Sequence, residues 1–326
     1  MVIFIVYTAI KNKNFLSAGS IANIVSLVAA SLPMALGIAG CIVLTGTDLS
    51  GGRVVGLTAA VAGALLQDRT ISRKLFSNLP AITPGWILLT VLIVVAIGAL
   101  IGMVNGFFVA KFSLHPFIVT LATQLITYGL ILIFFMLNGN NGQPVSGLSQ
   151  EYKSVVSAPM IQFTTGSGAK ISIPWYVLYA VIFVALMWFI WNKTAFGKNM
   201  FAVGSNEEAA RVSGVNVMAT IIGVFMLAGA LYGYTGFVEA ARLGSSTATL
   251  GLNYEADAIS AAVIGGVSFV GGTGKISGVI LGVFMMQLII SGMTFLGISG
   301  NITYIIKGAV ILIACILDMR KYMTRK

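Results

Sequence analysis

Long apolar stretches constrain this chain more than any other feature of its sequence. Residues 85–112 and 116–137 are both longer than the roughly 20 residues with which a helix crosses the hydrocarbon layer of a membrane. Hydrophobic residues make up 58% of the chain and charged residues only 9%, whereas about 25% of a typical soluble domain is charged. The sequence therefore predicts an all-α polytopic membrane protein, a single transmembrane domain over residues 1–326 with about ten transmembrane helices.

The first predicted crossing is short. Residues 1–10 are apolar, but as a helix they would rise only about 15 Å, half of the hydrocarbon thickness. No basic residue precedes this run and no small-residue cleavage site follows it, which disfavours a cleaved signal peptide. We expect an abbreviated first helix here.

One long polar stretch, residues 192–216, lies between two apolar segments and is called the polar segment below. Ser205 or Asn206 can cap a helix within it, because a short side chain can accept hydrogen bonds from the amides of the first turn. Gly214 is suited to end that helix. The sequence thus predicts a helix of about two turns on the membrane surface, either as part of a solvated connecting loop or as a docking element for another protein.

The composition of this short helix suits docking. Glu207 and Glu208 lie in the first turn, where the helix dipole favours negative charge, and Arg211 lies near the other end. Ala209 and Ala210 are small, so that a partner could approach the backbone closely. The candidate docking residues are Gly204, Ser205, Asn206, Glu207, Glu208, Ala209, Ala210, Arg211 and Gly214.

Glycines recur at four-residue spacing in two of the apolar segments. One segment carries Gly98, Gly102 and Gly106, and another carries Gly229 and Gly233. In a helix this spacing places the glycines on one face, where a neighbouring helix can pack against the backbone. We expect both faces to be helix-packing surfaces.

Polar side chains inside the apolar segments are candidates for the wall of a polar passage. Asn105 lies one position from the glycine face, and Gln124 and Tyr128 lie in the next apolar segment. Buried amides and hydroxyls need partners inside a membrane, so they face the helix bundle or water. Helix packing is the alternative role for each of them. Asp48 and Arg53, in the loop of residues 46–53, either pair with each other or line the same passage.

The basic residues indicate an orientation in the membrane. The formal net charge is +10, but no basic face with interleaved aromatic residues is present, so nucleic acid is not a predicted partner. Four basic residues among the last seven predict a cytoplasmic C-terminus. Counting segments back from that end places the polar segment in the cytoplasm and the Gly- and Ser-rich residues 138–171 in an exposed external loop.

No pattern typical of covalent chemistry is present. The sequence contains neither a His-Glu-x-x-His motif nor a Gly-x-Ser-x-Gly motif with a matching histidine. Cys41 and Cys315 lie far apart inside apolar runs, which predicts two reduced thiols. His115 directly precedes Pro116 and predicts the start of a helix rather than a metal site. We therefore expect a transport protein with no cofactor in this chain, not an enzyme.

The source of energy is also constrained by the sequence. An ion-coupled carrier usually has acidic or basic residues at mid-membrane depth. Lys307 is the clearest such charge, and it has no acidic neighbour within its own predicted helix, residues 301–317. The polar segment instead favours transport that is driven by a separate subunit. An ion-coupled secondary transporter is the less favoured alternative.

Three motifs, in order along the chain, resemble the ribose/galactose class of bacterial ABC-transporter permeases. The run from Asn192 to Asn216 is similar to the coupling loop of that class. Residues 45–52, Thr-Gly-Thr-Asp-Leu-Ser-Gly-Gly, resemble its early loop, and residues 254–272 resemble its late signature. Within the class, residues 45–48 and 191–194 are most similar to the galactose/methyl-galactoside permeases.

The resemblance implies a type II-like ABC importer permease in the bacterial inner membrane. Its expected partners are a second copy of the chain, a cytoplasmic ATPase that binds ATP and Mg²⁺, and an external sugar-binding protein. Residues 207–214 would lie in a groove of the ATPase, whose closure would switch the passage between inward and outward openings. The expected solute is a monosaccharide, galactose or a methyl galactoside. Related permeases carry nucleosides, which leaves a nucleoside importer as an alternative.

Overall fold

The computed structural model describes residues 2–164 and 170–323, and most of them are helical. The helices are α1 (Val2–Lys11), α2 (Ala18–Val43), α3 (Gly51–Leu65), α4 (Pro84–Phe112), α5 (Pro116–Met136), α6 (Gln150–Val156), α7 (Trp175–Lys193), α8 (Ala195–Ser205), α9 (Glu207–Val212), α10 (Val217–Leu243), α11 (Tyr254–Ile264), α12 (Ile276–Phe295) and α13 (Gly300–Met323). The strands are β1 (Val145–Ser146), β2 (Pro159–Thr164), β3 (Lys170–Pro174) and β4 (Ser245–Ser246).

Local signals set the helix boundaries around α4 and α5. The Thr83 hydroxyl accepts a hydrogen bond from the Trp86 amide at the start of α4, and Ser113 ends that helix in the left-handed conformation with a φ of 51°. Nδ1 of His115 accepts from the Phe117 amide, so that His115 caps α5. The prediction that His115 starts a helix is confirmed.

Within residues 2–164 and 170–323, six helices are long and apolar enough to cross a membrane. They are α2, α4, α5 with the turn that follows it, α7, α10 and α12. Two shorter apolar helical segments, Gly51–Leu65 and Gly300–Ile316, accompany them. The prediction of a mainly helical protein with several membrane-spanning helices is therefore confirmed.

To reach the predicted total of about ten crossings, α1, α3, α11 and α13 would also have to span the membrane. Helices α1, α3 and α11 have 10, 15 and 11 residues, which corresponds to lengths of about 15 to 23 Å. None of these three helices reaches across a hydrocarbon layer of about 30 Å by itself. The membrane part of the fold therefore includes short helices that begin or end inside the bundle.

The expectation of an all-α chain needs correction, because the structure contains two small antiparallel sheets. Strand β2 pairs with β3, and β1 pairs with β4, with Val145 opposite Ser246. Residues 138–171 were expected to be exposed, yet Tyr152 and Val156 of α6 are buried. The Gly- and Ser-rich composition of this loop gives no sign of these two buried side chains, which attach the loop to the bundle.

Helix α10 separates two ends of the molecule. The polar segment ends where α10 begins, and β4, which follows the other end of α10, pairs with β1. Because α10 has 27 residues, its ends lie about 40 Å apart. The polar segment and residues 145–146 therefore lie at opposite ends of the bundle.

The centre of the bundle is formed by α2 and α10. The apolar window of α2 is 83% buried, whereas those of α5 and α7 are only 22% buried. Helix α10 packs most extensively on α4 and also on α3 and α2. Helices α5 and α7 consequently present apolar faces outward, as expected in a lipid environment.

Candidate functional site

The polar segment folds into two consecutive helices joined by one capping residue. The side chain of Asn206 accepts a hydrogen bond from the Ala209 amide at 2.9 Å, so Asn206 is the cap of α9. Ser205, the other capping candidate, is the last residue of α8, and its hydroxyl donates to the Phe201 carbonyl. Gly214 follows the helix with a φ of +84°, a conformation that glycine adopts without a steric penalty.

The charged residues of α9 are paired and open to solvent. Arg211 Nη2 lies 2.7 Å from Glu207 Oε1, and their side chains are 69% and 52% exposed. An exposed pair at this spacing is worth only about 0.3–0.5 kcal/mol. These side chains therefore contribute little to folding.

The two small residues of α9 differ in their surroundings. Ala209 is exposed, whereas Ala210 is buried in the contact between α9 and its own chain. Val212, which the sequence alone did not indicate as a docking residue, is 90% exposed. The exposed surface of α9 thus combines the charged residues Glu207, Glu208 and Arg211 with the apolar residues Ala209 and Val212.

Glycines hold the polar segment tightly against the end of α2. A Cβ on Gly204 would lie 1.8 Å from the Val43 carbonyl oxygen, and one on Gly272 would lie 2.1 Å from Ser205 Oγ. The Gly272 amide donates to the same Val43 carbonyl at 2.8 Å. Gly204 therefore packs against another part of its own chain. A displacement of α8 must also move the end of α2.

A buried polar layer lies where residues 45–50, α4 and α5 meet. The Ser50 hydroxyl donates to Asp48 Oδ1 at 2.6 Å and accepts from Asn105 Nδ2 at 3.0 Å. The Thr123 hydroxyl donates to Asn105 Oδ1 at 2.6 Å. Asn105 is fully buried, so it joins α4 to α5 and to the loop before α3.

The other two passage candidates lie on α5 next to this layer. Gln124 Nε2 donates to Glu255 Oε1 over 3.4 Å, and the Arg53 guanidinium lies 4.2 Å from the centre of the Tyr128 ring. Both side chains are half-buried. The structure therefore brings Asn105, Gln124 and Tyr128 to one region around the start of α3.

Three buried charged groups in this region keep unused hydrogen-bonding atoms. Asp48 Oδ2, Arg53 Nη1 and Glu255 Oε2 have no hydrogen-bond partner among the residues that the structure describes. The ion pair between Asp48 and Arg53 that the sequence allowed is not among the salt bridges of the described residues, because Asp48 turns back to Ser50 and Arg53 lies over Tyr128. A buried charged group with unused hydrogen-bonding atoms is costly inside a membrane protein, and such groups typically line an aqueous cavity or a solute route.

The spaced glycines of α4 and α10 face one another. A Cβ on Gly98 would lie 2.1 Å from the Gly229 carbonyl oxygen, and one on Gly102 would lie 2.0 Å from the Phe225 carbonyl oxygen. A Cβ on Gly106 would meet Ile222, and one on Gly233 would meet the Val94 carbonyl oxygen. The two backbones thus approach so closely that no larger residue fits at these positions.

Neither thiol chemistry nor a metal cluster marks the described part of the chain. Cys41 is buried, Cys315 is half-buried, and both are free. Within residues 2–164 and 170–323, no group of three or more His, Cys, Asp or Glu side chains could hold a metal ion.

Comparison with known proteins shows to which family this chain belongs. The family described as the permease component of branched-chain amino acid transport systems matches residues 20–315. The chain belongs to this permease family. It is the permease component of an ABC transporter, a multi-pass membrane subunit without ATPase activity of its own. No solved structure gives a significant match.

The permease is also similar over nearly its whole length to curated import permeases. The galactose/methyl galactoside import permease MglC of Escherichia coli K12 is 42% identical over 97% of this chain and 91% of its own length. The Haemophilus influenzae MglC is 40% identical over the same shares. The ribose import permease RbsC of Escherichia coli K12 is 32% identical over 98% of this chain and 92% of its own length. The resemblance to the ribose/galactose class is therefore confirmed.

Proposed function

We propose that this permease passes galactose or a methyl galactoside into the bacterial cytoplasm as part of an ATP-driven importer. The observation that carries the proposal is the 42% identity, over 97% of the chain, to a galactose/methyl galactoside import permease. Identity to the ribose import permease of the same organism is 32%, which favours a galactoside over ribose. The family description names branched-chain amino acids, so the family itself does not identify the solute.

The ATPase acts on the permease at α9. This helix is short, capped and exposed, and it presents its three charged side chains together with Ala209 and Val212 outward. Its charges contribute little to the fold, which leaves them free for recognition of a cytoplasmic ATPase that holds ATP and Mg²⁺. Ala210 and Gly204 fix the helix to the membrane body and transmit its movement to α2.

The orientation in the cytoplasmic membrane follows from this docking. Asp318 Oδ2 of α13 accepts a hydrogen bond from Ser268, and the turn after Ser268 contacts Val43 and Ser205 beside the polar segment. These contacts support a C-terminus on the same, cytoplasmic side as α9. The binding protein then delivers its sugar at the opposite end, near residues 138–171.

A second copy of the permease completes the importer. Only 22% of the apolar window of α5 is buried within one copy, and its outward residues Leu125 and Ile126 are 66% and 63% exposed, so this face is available to the second copy. The half-buried Gln124 and Tyr128 lie on the same helix and border the sugar route, while Asn105 holds the layer together from behind.

Transport measurements test the proposal. The permease is reconstituted in vesicles with the ATPase and the binding protein from the same source, and uptake of labelled galactose, ribose and a nucleoside is followed with and without ATP. Galactose uptake that requires ATP supports the proposal. Uptake of the nucleoside alone would establish the nucleoside importer instead, and galactose uptake driven by an ion gradient without ATP would establish a secondary transporter.

A further inference from the structure

A cavity of about 200 Å³ lies inside the permease among α2, α10, α11, α12 and α13. It is separate from the buried polar layer, which is built around α5. The charged and polar side chains that line it include Glu239, Arg242, Tyr254, Asp257, Gln287 and Lys307. They come from the four consecutive helices α10 to α13, and they converge on one space.

The charges around this cavity cancel in pairs. Arg242 Nη2 lies 2.7 Å from Glu239 Oε2, and Lys307 Nζ lies 2.7 Å from Asp257 Oδ2. Two carboxylates and two cations leave no net charge to attract an anion or a cation. The cavity is therefore matched to a neutral solute.

The lining still offers both donors and acceptors. An ammonium has three donors and a guanidinium has five, so Lys307 and Arg242 keep free N–H groups after pairing. Asp257 keeps its second oxygen. The side-chain amide of Gln287 donates to Ser31 Oγ at 3.1 Å, and its carbonyl oxygen accepts no hydrogen bond within the described part of the chain. Alternating donors and acceptors on a small surface suit a solute with several hydroxyl groups, since each hydroxyl both donates and accepts.

The remaining wall is apolar. Met34, Val283, Met286 and Ile290 line it, and they can contact the C–H face of a sugar ring. Pockets for drug-sized ligands measure roughly 300–1,000 Å³, so a cavity of about 200 Å³ fits a molecule of monosaccharide size better than one as large as a nucleoside.

We propose that this cavity is a solute-binding chamber inside each copy of the permease, and that it takes a neutral polyhydroxylated molecule of monosaccharide size. The inference rests on the proposed function and adds to it a place where the sugar lies within a single chain. Arg242, Gln287 and the pair of Asp257 and Lys307 hold its hydroxyl groups. The pair also closes one wall, because α13 packs mainly on α11, which carries Asp257.

Filling the chamber provides the first test, in vesicles that contain the whole importer. Ala258 is buried and lines the cavity, so Ala258→Phe fills it, whereas Ala185→Phe makes the same change on the exposed face of α7. We expect Ala258→Phe to lower galactose uptake by tenfold or more, about 1.4 kcal/mol or greater in activation free energy, and Ala185→Phe to leave it unchanged. Full galactose uptake by a correctly assembled Ala258→Phe importer overturns the proposal.

A labelling experiment keeps the proposal testable if Ala258→Phe does not assemble. Ser31→Cys places a thiol in the cavity, and Ser299→Cys places one in the exposed turn between α12 and α13. The modification rate of each by a small methanethiosulfonate reagent is measured with and without galactose, and unsubstituted permease reports the native cysteines. We expect galactose to slow modification at position 31 and not at position 299. Equal rates at position 31 with and without galactose, at concentrations that saturate uptake, overturn the chamber.

The outcomes separate the two proposals. If unsubstituted importer takes up ribose but not galactose, the proposed solute is wrong, and the same variants are then tested with ribose. If unsubstituted importer takes up galactose while both the filled and the labelled variants behave as their controls do, the solute is right and the chamber is wrong.

Discussion

The ammonium of Lys307 lies 2.7 Å from a carboxylate oxygen of Asp257, and this ion pair joins α13 to α11. The two residues are 50 positions apart in sequence, so the partner of Lys307 was not visible in its own helix. With 18% and 27% of their side chains exposed, both groups are largely removed from solvent. The pair is therefore a structural tie between two helices as well as one side of the cavity.

Removing one member of this tie should destabilise the permease. Lys307→Met leaves Asp257 without a counter-charge, and a broken buried pair costs about 3–5 kcal/mol. Because both groups are partly exposed, we expect a loss of about 2–4 kcal/mol in the free energy of unfolding in detergent. The double variant Lys307→Met with Asp257→Asn should recover most of it, and a double-mutant cycle that shows no coupling would contradict the tie.

Exposed charges on α9 should matter for coupling and not for folding. Glu207→Ala combined with Arg211→Ala removes a pair worth about 0.3–0.5 kcal/mol, so the unfolding temperature should stay nearly constant. We expect sugar uptake to fall sharply while the permease remains inserted in the membrane. Glu151→Ala, an exposed acidic change at the opposite end, serves as the control. Unchanged uptake in the double variant would show that α9 is only a solvated connection.

Val212 should be an apolar contact for the ATPase. Its side chain is 90% exposed, so Val212→Asp has no packing to disturb and places a third acidic residue on α9. Binding of purified ATPase to the permease in detergent should weaken by about tenfold, which corresponds to about 1.4 kcal/mol. Val212→Ala should weaken binding less. Equal affinity for all three proteins would place the docking surface elsewhere.

The contact between α4 and α10 should not tolerate a side chain. Gly102→Ala brings a Cβ within 2.0 Å of the Phe225 carbonyl oxygen, and overpacking of this kind costs about 1–3 kcal/mol. We expect a lower unfolding temperature and less assembled permease. Gly19→Ala is the matched control, because a Cβ at that position meets nothing within 4 Å.

Asn105 and Gln124 should respond differently to the same replacement. Asn105→Leu removes the hydrogen bonds to Ser50 and from Thr123, and two such bonds together are worth about 1–3 kcal/mol. Gln124 is half-exposed and its bond to Glu255 is 3.4 Å long, so Gln124→Leu should change uptake with little loss of stability. Unfolding and uptake measured on both variants decide the matter. Equal destabilisation by the two replacements would assign Gln124 to helix packing.

Local features of this permease were readable from its sequence, because they depend on neighbours within a few residues. The cap at Asn206, the helix start at His115 and the glycine spacing of α4 all depend on residues one helical turn apart. Even the choice between Ser205 and Asn206 as cap required the backbone conformation. Three motifs sufficed to identify the family.

Contacts between distant residues were not readable in the same way. Strand β1 is two residues long and pairs with a strand about 100 residues later, too short to leave an alternating pattern. Ala210 and Ala209 are identical in sequence, and only the packing of α9 buries one and exposes the other. The cavity draws its lining from separate helices, so no single segment indicates it.

The pairing of Val145 with Ser246 has a mechanical consequence. It joins the loop before α6 to the C-terminal end of α10, a helix about 40 Å long whose N-terminal end follows α9 along the chain. If α10 is tilted from one side of the bilayer, the surface around residues 145–146 on the other side must move with it. Docking of the sugar-loaded binding protein and closure of the ATPase would then act on the two ends of the same helix.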